Sequence, residues 1–274
     1  MDPSDHSEPE HSSADTGSHA ESQRPRNRHI YLLPNLLTTL GLFSGFYAIL
    51  AAASGRFEHA CLAVFLAGIF DGVDGRVARM TGTSSEFGVQ YDSLADLVSF
   101  GMAPALVMYH WALVSMRVDG PIAGKVGWAA AFLYVACAAL RLARFNTQVG
   151  VVDKRWFIGL NSPSAAALMM GFVWSMSAWD IPGQTLRFVA TGVTILSALL
   201  MVSGFRYTSF KGGQPRERVP FWVMLLIVGF LVALIIDPPR VLLTVALVYA
   251  ASGPTYWLWQ RTRRKPPASG AVAS

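Results

Sequence analysis

Residues 71–96, DGVDGRVARMTGTSSEFGVQYDSLAD, carry four aspartates at Asp71, Asp74, Asp92 and Asp96. The first pair is spaced i, i+3 and the second i, i+4, so on helical flanks each pair occupies one helix face. Two such faces brought together set four carboxylates around one point. The flanking sequence is apolar, and carboxylates at the edge of an apolar segment are costly unless a positive charge sits among them. Oxygen-only ligands suit a hard divalent cation such as Mg²⁺ or Mn²⁺. The stretch therefore predicts a metal site at a membrane surface.

The rest of the chain supports that setting. Its 274 residues are 53% hydrophobic and 14% charged, against roughly a quarter charged in an ordinary soluble domain. The apolar residues fall in blocks of about twenty, the length at which a helix crosses the hydrocarbon core. The expected fold is an all-α, polytopic membrane bundle of about eight transmembrane helices, embedded in a lipid bilayer. The net charge of +5 lies in loops and tails beside the apolar blocks, which points to lipid headgroups and topology rather than nucleic acid. Cys61 and Cys137 both sit inside apolar segments, which argues against a disulfide framework or a thiol ligand set.

Residues 1–28 are rich in Ser, Glu, His and Asp without apolar periodicity and read as a disordered tail. His6, His11 and His19 are then solvated histidines. The apolar run that follows is too long for a signal peptide and lacks its small-residue cleavage pattern. Spans are predicted at residues 34–54, 57–80, 91–114, 126–145, 163–179, 186–203, 220–236 and 241–259, with a loop at 81–90 between the aspartate pairs. An even number places both termini on one side. With that side cytoplasmic, 17 of the 22 Lys and Arg residues lie inside and 5 outside, the bias expected of a cytoplasmic N-terminus in an inner membrane protein. The same arrangement puts the aspartates, the first turns of the first span and residues 141–155 together on the cytoplasmic side.

Four carboxylates at one surface can hold two cations, the usual clamp for displacement at phosphorus. A carboxylate outside the tightest ligand set can take a proton from an attacking hydroxyl. Gly72, Gly75 and Ala78 are small enough to let a ligand approach the helix, or a second helix to pack. Arg79 has the planar fork that matches a phosphate. Two non-enzymatic readings remain at this level. A divalent-cation transporter predicts polar residues continuing across the membrane, whereas residues 60–70 carry none before Asp71 and 98–106 only Ser99; nor is an internal or inverted repeat evident. A scaffold leaves the carboxylate cluster without a purpose.

The pattern Asp71, Asp74, Gly75, Ala78, Arg79, Gly88, Asp92, Asp96 resembles, without a gap, the signature of the CDP-alcohol phosphatidyltransferase family. That resemblance implies an integral membrane enzyme that uses two divalent cations, transfers a phosphatidyl group from a CDP-linked lipid to an alcohol and releases CMP. It implies that Asp71, Asp74, Asp92 and Asp96 bind metal and that Asp96 is also the base. It further implies that Asn35, Thr38, Gly72, Gly75, Ala78, Arg79, Ser85 and Gly88 line the CDP-diacylglycerol site, and it suggests a homodimer.

Outside the signature, PNLLTTLGLFSGF, DSLADLVSFGMAPAL, Arg141-Leu-Ala-Arg144-Phe-Asn146, FIGLNSPSAAA and FRYTSFK are similar to the branch of the family that uses serine, over roughly residues 30–212. The expected reaction then gives phosphatidylserine from CDP-diacylglycerol and L-serine, with Arg141, Arg144 and Asn146 binding the amino acid. A phosphorylated acceptor, glycerol 3-phosphate or an inositol phosphate, would call for a denser basic pocket. One departure is Asn161, where the family usually has proline, so the loop before Ser162 is expected to differ in shape. The expected organisation is a tail at 1–28, a catalytic membrane domain at 29–212, two further helices at 213–260 and a basic cytoplasmic tail at 261–274.

Overall fold

The computed structural model describes residues 32–82, 85–148, 156–208 and 221–263. The N-terminal tail, most of the C-terminal basic tail, and Lys154, Arg155, Lys211, Arg216 and Arg218 lie outside them. Each of the eight predicted spans falls on helix. Helix α1 is Leu32–Ala53 and α2 is Phe57–Thr81. Then come α3 (Glu86–Asp96), a π-helical turn (Leu97–Met102) and α4 (Ala103–Trp111), followed by a 3₁₀ turn (Leu113–Asp119). The chain continues through α5 (Pro121–Gln148), α6 (Ser162–Ala178), α7 (Arg187–Val202), α8 (Phe221–Ile236) and α9 (Pro238–Arg263).

Cap chemistry sets the junctions around the aspartates. Gly82, at φ 63°, ends α2 in the left-handed conformation and returns its N–H to the Ala78 carbonyl. Ser85 opens α3 by accepting a hydrogen bond from the Gly88 N–H at 3.0 Å. The third span therefore starts at Glu86 and not near Tyr91 as hydropathy suggests, and the expected loop at 81–90 is correspondingly shorter. A polar first turn is invisible to an apolar count but is what an N-cap serine favours.

The π turn directly follows Asp96, and such turns are frequent at functional sites. It leaves the Phe100 carbonyl to accept from the buried Tyr134 hydroxyl at 3.1 Å, tying α5 to the turn. The Ser99 hydroxyl bonds the Gly41 carbonyl of α1 at 3.1 Å. A Cβ at Gly45 would lie 2.7 Å from Ser99 Cα, so only glycine permits this approach.

Small residues are frequent in the interior, where Ala48, Ala51, Ala52, Ala60, Ala67, Ala103, Ala138 and Ala165 are almost fully buried beside larger side chains such as Phe100, Met108 and Tyr134. Large apolar side chains such as Phe43, Phe46, Ile69, Phe132 and Leu140 face outward. That inversion suits helices packed in lipid, where close backbone approach replaces hydrophobic collapse. By length and composition three described helices can cross a membrane, or four if the bent 86–119 unit is one span. Helices α7 and α8 are apolar but shorter, and α2 carries several charges, so the eight expected crossings are not matched one for one.

One feature departs from the helical expectation. Trp156–Ile158 (β1) and Arg206–Thr208 (β2) pair antiparallel, with Phe157 opposite Tyr207. Gly159, at φ 82°, follows β1 and donates its N–H to the Phe205 carbonyl at 2.8 Å. Three-residue strands of aromatic and β-branched residues are too short to stand out beside apolar helices.

Candidate functional site: an aspartate cluster and its groove

Oxygens of Asp71, Asp74 and Asp92 lie within 4.8 Å of one another. Asp71 and Asp74 come from the last turns of α2, and Asp92 from the second turn of α3. Asp74 is 4% exposed, and its Oδ2 accepts a 2.7 Å hydrogen bond from the Thr38 hydroxyl of α1. Asp96 stands one turn beyond Asp92, outside the three-carboxylate group but lining the same recess with Thr38, Ser99 and Phe100. The recess measures about 10 Å³, the volume that holds one small occupant. Converging carboxylates repel each other, and a hard divalent cation with oxygen ligands relieves that repulsion. The donor set fits such an ion.

A second, larger groove of about 200 Å³ opens beside the cluster. Asn35, Thr38, Gly75, Ala78, Arg79, Ser85 and Gly88 all line it, together with Asp74 and Asp92. Seven of the eight residues expected for the CDP-lipid are thus brought to one surface. Gly72 is not among them; it is exposed, and a Cβ there would meet nothing within 4 Å. Gly75 has the same open space above it, inside the groove. A Cβ at Gly88 would come within 3.2 Å of Ser85 Oγ and 3.6 Å of Asn35 Oδ1. The groove wall is therefore fitted at that point.

The acceptor-side residues are less uniform. Arg141 is half-buried and donates from Nη1 to Ser162 Oγ at 3.0 Å, while its buried Nε has no hydrogen-bond partner. Its charge interacts with Asp96. Asn146 donates from Nδ2 to Ser93 Oγ at 3.0 Å. Arg144 is exposed and lines neither recess. Asn161 caps α6, its Oδ1 accepting from the Ser164 N–H at 2.9 Å. Asparagine at this position supplies a cap that a proline side chain would lack.

Sequence reasoning passed over Ser93 and Ser162. Each is a short hydroxyl whose role comes from a partner 53 or 21 residues away, and no local pattern marks it. Ser93 does stand between two signature aspartates, which is the one hint available. The bond Thr38–Asp74 ties the start of α1 to the end of α2, and Ser93–Asn146 and Arg141–Ser162 tie α3 and the start of α6 to the end of α5, all at one end of the bundle. This is the grouping expected from the alternation of spans.

Residues 31–203 match the family model for CDP-alcohol phosphatidyltransferase. A CDP-diacylglycerol--serine O-phosphatidyltransferase of Helicobacter pylori is 36% identical over 230 residues, covering 84% of this chain and 92% of that one. A protein of the same name from Methanocaldococcus jannaschii is 31% identical over 226 residues, 82% of this chain and 94% of its own. An archaetidylserine synthase of Methanothermobacter thermautotrophicus is 36% identical over 182 residues, 66% of this chain and 71% of its own. The chain belongs to the CDP-alcohol phosphatidyltransferase family.

Proposed function

We propose that the chain transfers the phosphatidyl group of CDP-diacylglycerol to the hydroxyl of L-serine, giving phosphatidylserine and CMP. The observation that carries the reading is the shared wall of the two recesses: Thr38, Asp74 and Asp92 line both the aspartate recess and the groove. A pyrophosphate in the groove would therefore reach the carboxylate cluster directly. The names of the relatives support serine as acceptor.

Asp71, Asp74, Asp92 and Asp96 are the residues that would hold two divalent cations, Mg²⁺ or Mn²⁺, with the second at the wall shared with the groove, and cations bound there would supply neutralisation of the phosphate oxygens. Thr38 orients the Asp74 carboxylate. Arg79 contacts the phosphates, and Asn35, Gly75, Ala78, Ser85 and Gly88 shape the groove around the nucleotide. Asp96 accepts the proton of the serine hydroxyl. The serine oxygen forms its bond to the lipid-side phosphorus as the bond from that phosphorus to the CMP oxygen breaks in line. Arg141 and Asn146 hold the amino acid, the carboxylate of which fits the unpartnered Arg141 Nε. Arg144 adds charge from the surface.

The aspartate recess is completed by Gly41, Ala67, Ala95 and Phe100. An apolar floor of this kind suits a reaction site better than an ion pathway. The setting is a bilayer with the site on the cytoplasmic leaflet and both termini cytoplasmic, supported by the 17 to 5 distribution of basic residues. The catalytic membrane domain occupies 29–212; α9 packs against its α6, the Tyr207 hydroxyl of β2 donating to the Ala250 carbonyl of α9 at 3.1 Å, and α8 packs on α9. A homodimer is part of the reading, on family membership.

The test is CMP release from CDP-diacylglycerol by purified protein, with serine, glycerol 3-phosphate and inositol phosphate assayed in parallel. Release should require serine, vanish with a chelator and return with Mg²⁺ or Mn²⁺. Faster release with a phosphorylated acceptor would overturn the choice of serine while leaving phosphatidyl transfer intact.

A further inference from the structure

A second recess, of about 360 Å³, lies at the other end of the bundle, lined by Arg117, Gly120, Pro121, Gly124, Lys125 and Trp128. Helix α5 connects the two ends. Asn146 of α5 bonds Ser93 beside the aspartates, and Lys125 lies 21 residues earlier on the same helix. At a rise of 1.5 Å per residue that is about 31 Å, close to the roughly 30 Å thickness of a bilayer's hydrocarbon core. The recess and the aspartate site therefore belong to opposite leaflets.

Its charge is one-sided. Five basic residues are assigned to this side of the membrane, and two of them line this recess. Arg187 engages both carboxylate oxygens of Asp119, the nearest acid in sequence, and Arg240 pairs with Asp237. Arg117 instead donates to the neutral Tyr109 hydroxyl at 2.9 Å. Among the described residues neither Arg117 nor Lys125 has a carboxylate within 4 Å.

The local backbone holds Arg117 in place. Gly120, at φ 118°, turns the chain from the 3₁₀ segment into α5. A Cβ at Gly124 would lie 3.0 Å from Arg117 Cγ and 3.3 Å from its Cα, so glycine lets the arginine stem rest on the helix. Beside the cations the surface is apolar. The Trp128 and Phe132 rings are parallel, with centroids 5.6 Å apart, and are 60% and 59% exposed. They stand one turn apart and run from the recess towards the membrane interior. Val118 and Ile122, next in sequence to Arg117 and Pro121, are both more than three-quarters exposed. Cations at the rim with an aromatic track leading inward match a ligand that has a phosphate head and an acyl tail, and tryptophan favours that depth.

We propose that this recess binds an anionic phospholipid of the leaflet opposite the aspartate site, with Arg117 and Lys125 on the phosphate and an acyl chain along Trp128 and Phe132. The assignment rests on the membrane setting and is independent of the acceptor used in the reaction.

The test is thermal unfolding of the full chain purified in detergent and titrated with phosphatidylglycerol, phosphatidylcholine or inorganic phosphate. At a lipid concentration near 100 times its Kd, phosphatidylglycerol should raise Tm by about 5 °C or more. The Arg117→Gln/Lys125→Gln variant should lose at least about half of that rise, the remainder coming from lipid at the CDP-lipid groove, and phosphatidylcholine should give a smaller rise in both proteins. Trp128→Ala keeps both charges and should also lose part of the rise, which covers the case in which the double variant does not fold. A full phosphatidylglycerol shift in the charge variant and in Trp128→Ala would overturn the proposal, as would an equal shift from inorganic phosphate. CMP release by the charge variant should stay within about twofold of wild type, since it reads the distant aspartate site, so loss of the lipid shift and loss of the proposed reaction are separate outcomes.

Discussion

The two sides of the proposed reaction site are built in different ways. The groove assigned to the CDP-lipid draws all its walls from the first three helices and the α3 cap, and six of its residues are signature positions spaced by helical periodicity. The acceptor side is assembled from the end of α5 and the start of α6, joined to the aspartates through single hydrogen bonds such as Asn146–Ser93. A nucleotide handle shared by a family can be held by one contiguous motif. The acceptor is what differs between members, and its contacts come from segments free to change without disturbing the carboxylates.

Substitutions can break or sharpen that contrast. The largest effect is expected where the two sides meet, at Asp96, which lines the aspartate recess and interacts with Arg141. Asp96→Asn should lower CMP release about 100-fold or more, the scale of a lost general base, with little change in either substrate's KM. Retention of most activity would remove Asp96 as the base.

Arg141→Ala should raise the KM for serine about 10-fold to 100-fold, the loss of charge-assisted hydrogen bonds, and leave that for CDP-diacylglycerol within about twofold. Equal effects on both substrates would erase the distinction between the two sides. Gly88→Ala is the converse probe, because its methyl group would crowd Ser85 Oγ at 3.2 Å, the acceptor that caps α3. The KM for CDP-diacylglycerol should rise about fivefold, corresponding to roughly 1 kcal/mol of overpacking, with serine dependence unchanged in a two-substrate kinetic matrix. The smallest effect is expected at Asn161, where alanine removes the α6 cap. Thermal unfolding should report a loss of about 1 kcal/mol, with no shift in CDP-diacylglycerol dependence.

The aspartate stretch was the most legible part of the chain. Asp71, Asp74, Asp92 and Asp96 fall on two helix faces as their spacing requires, and seven of eight expected groove residues meet. Gly72 stands outside because the groove meets α2 only from Asp74 to Arg79, and Gly72 lies nearly a turn earlier on the helix than Gly75. Arg144 was chosen for lying one turn from Arg141, but it is exposed while Arg141 is half-buried. Helical spacing alone does not say how deep a side chain sits. The start of α3 at Glu86 and the β1–β2 ribbon escaped a reading by hydropathy because a serine cap and three-residue strands carry almost no hydrophobic signal.

By itself the sequence determined the helical membrane class, the aspartate faces and the family. These properties follow from composition and from spacing within single helices, both of which are local. Tertiary structure decided that Thr38 orients Asp74, that Ser93 holds Asn146, that the half-buried Arg141 bonds Ser162, and that Arg117 and Lys125 share a recess about 31 Å along α5 from Asn146. Each of these depends on how separate helices cross, and small residues such as Gly45 and Gly124 set those crossings by how closely they let another segment approach.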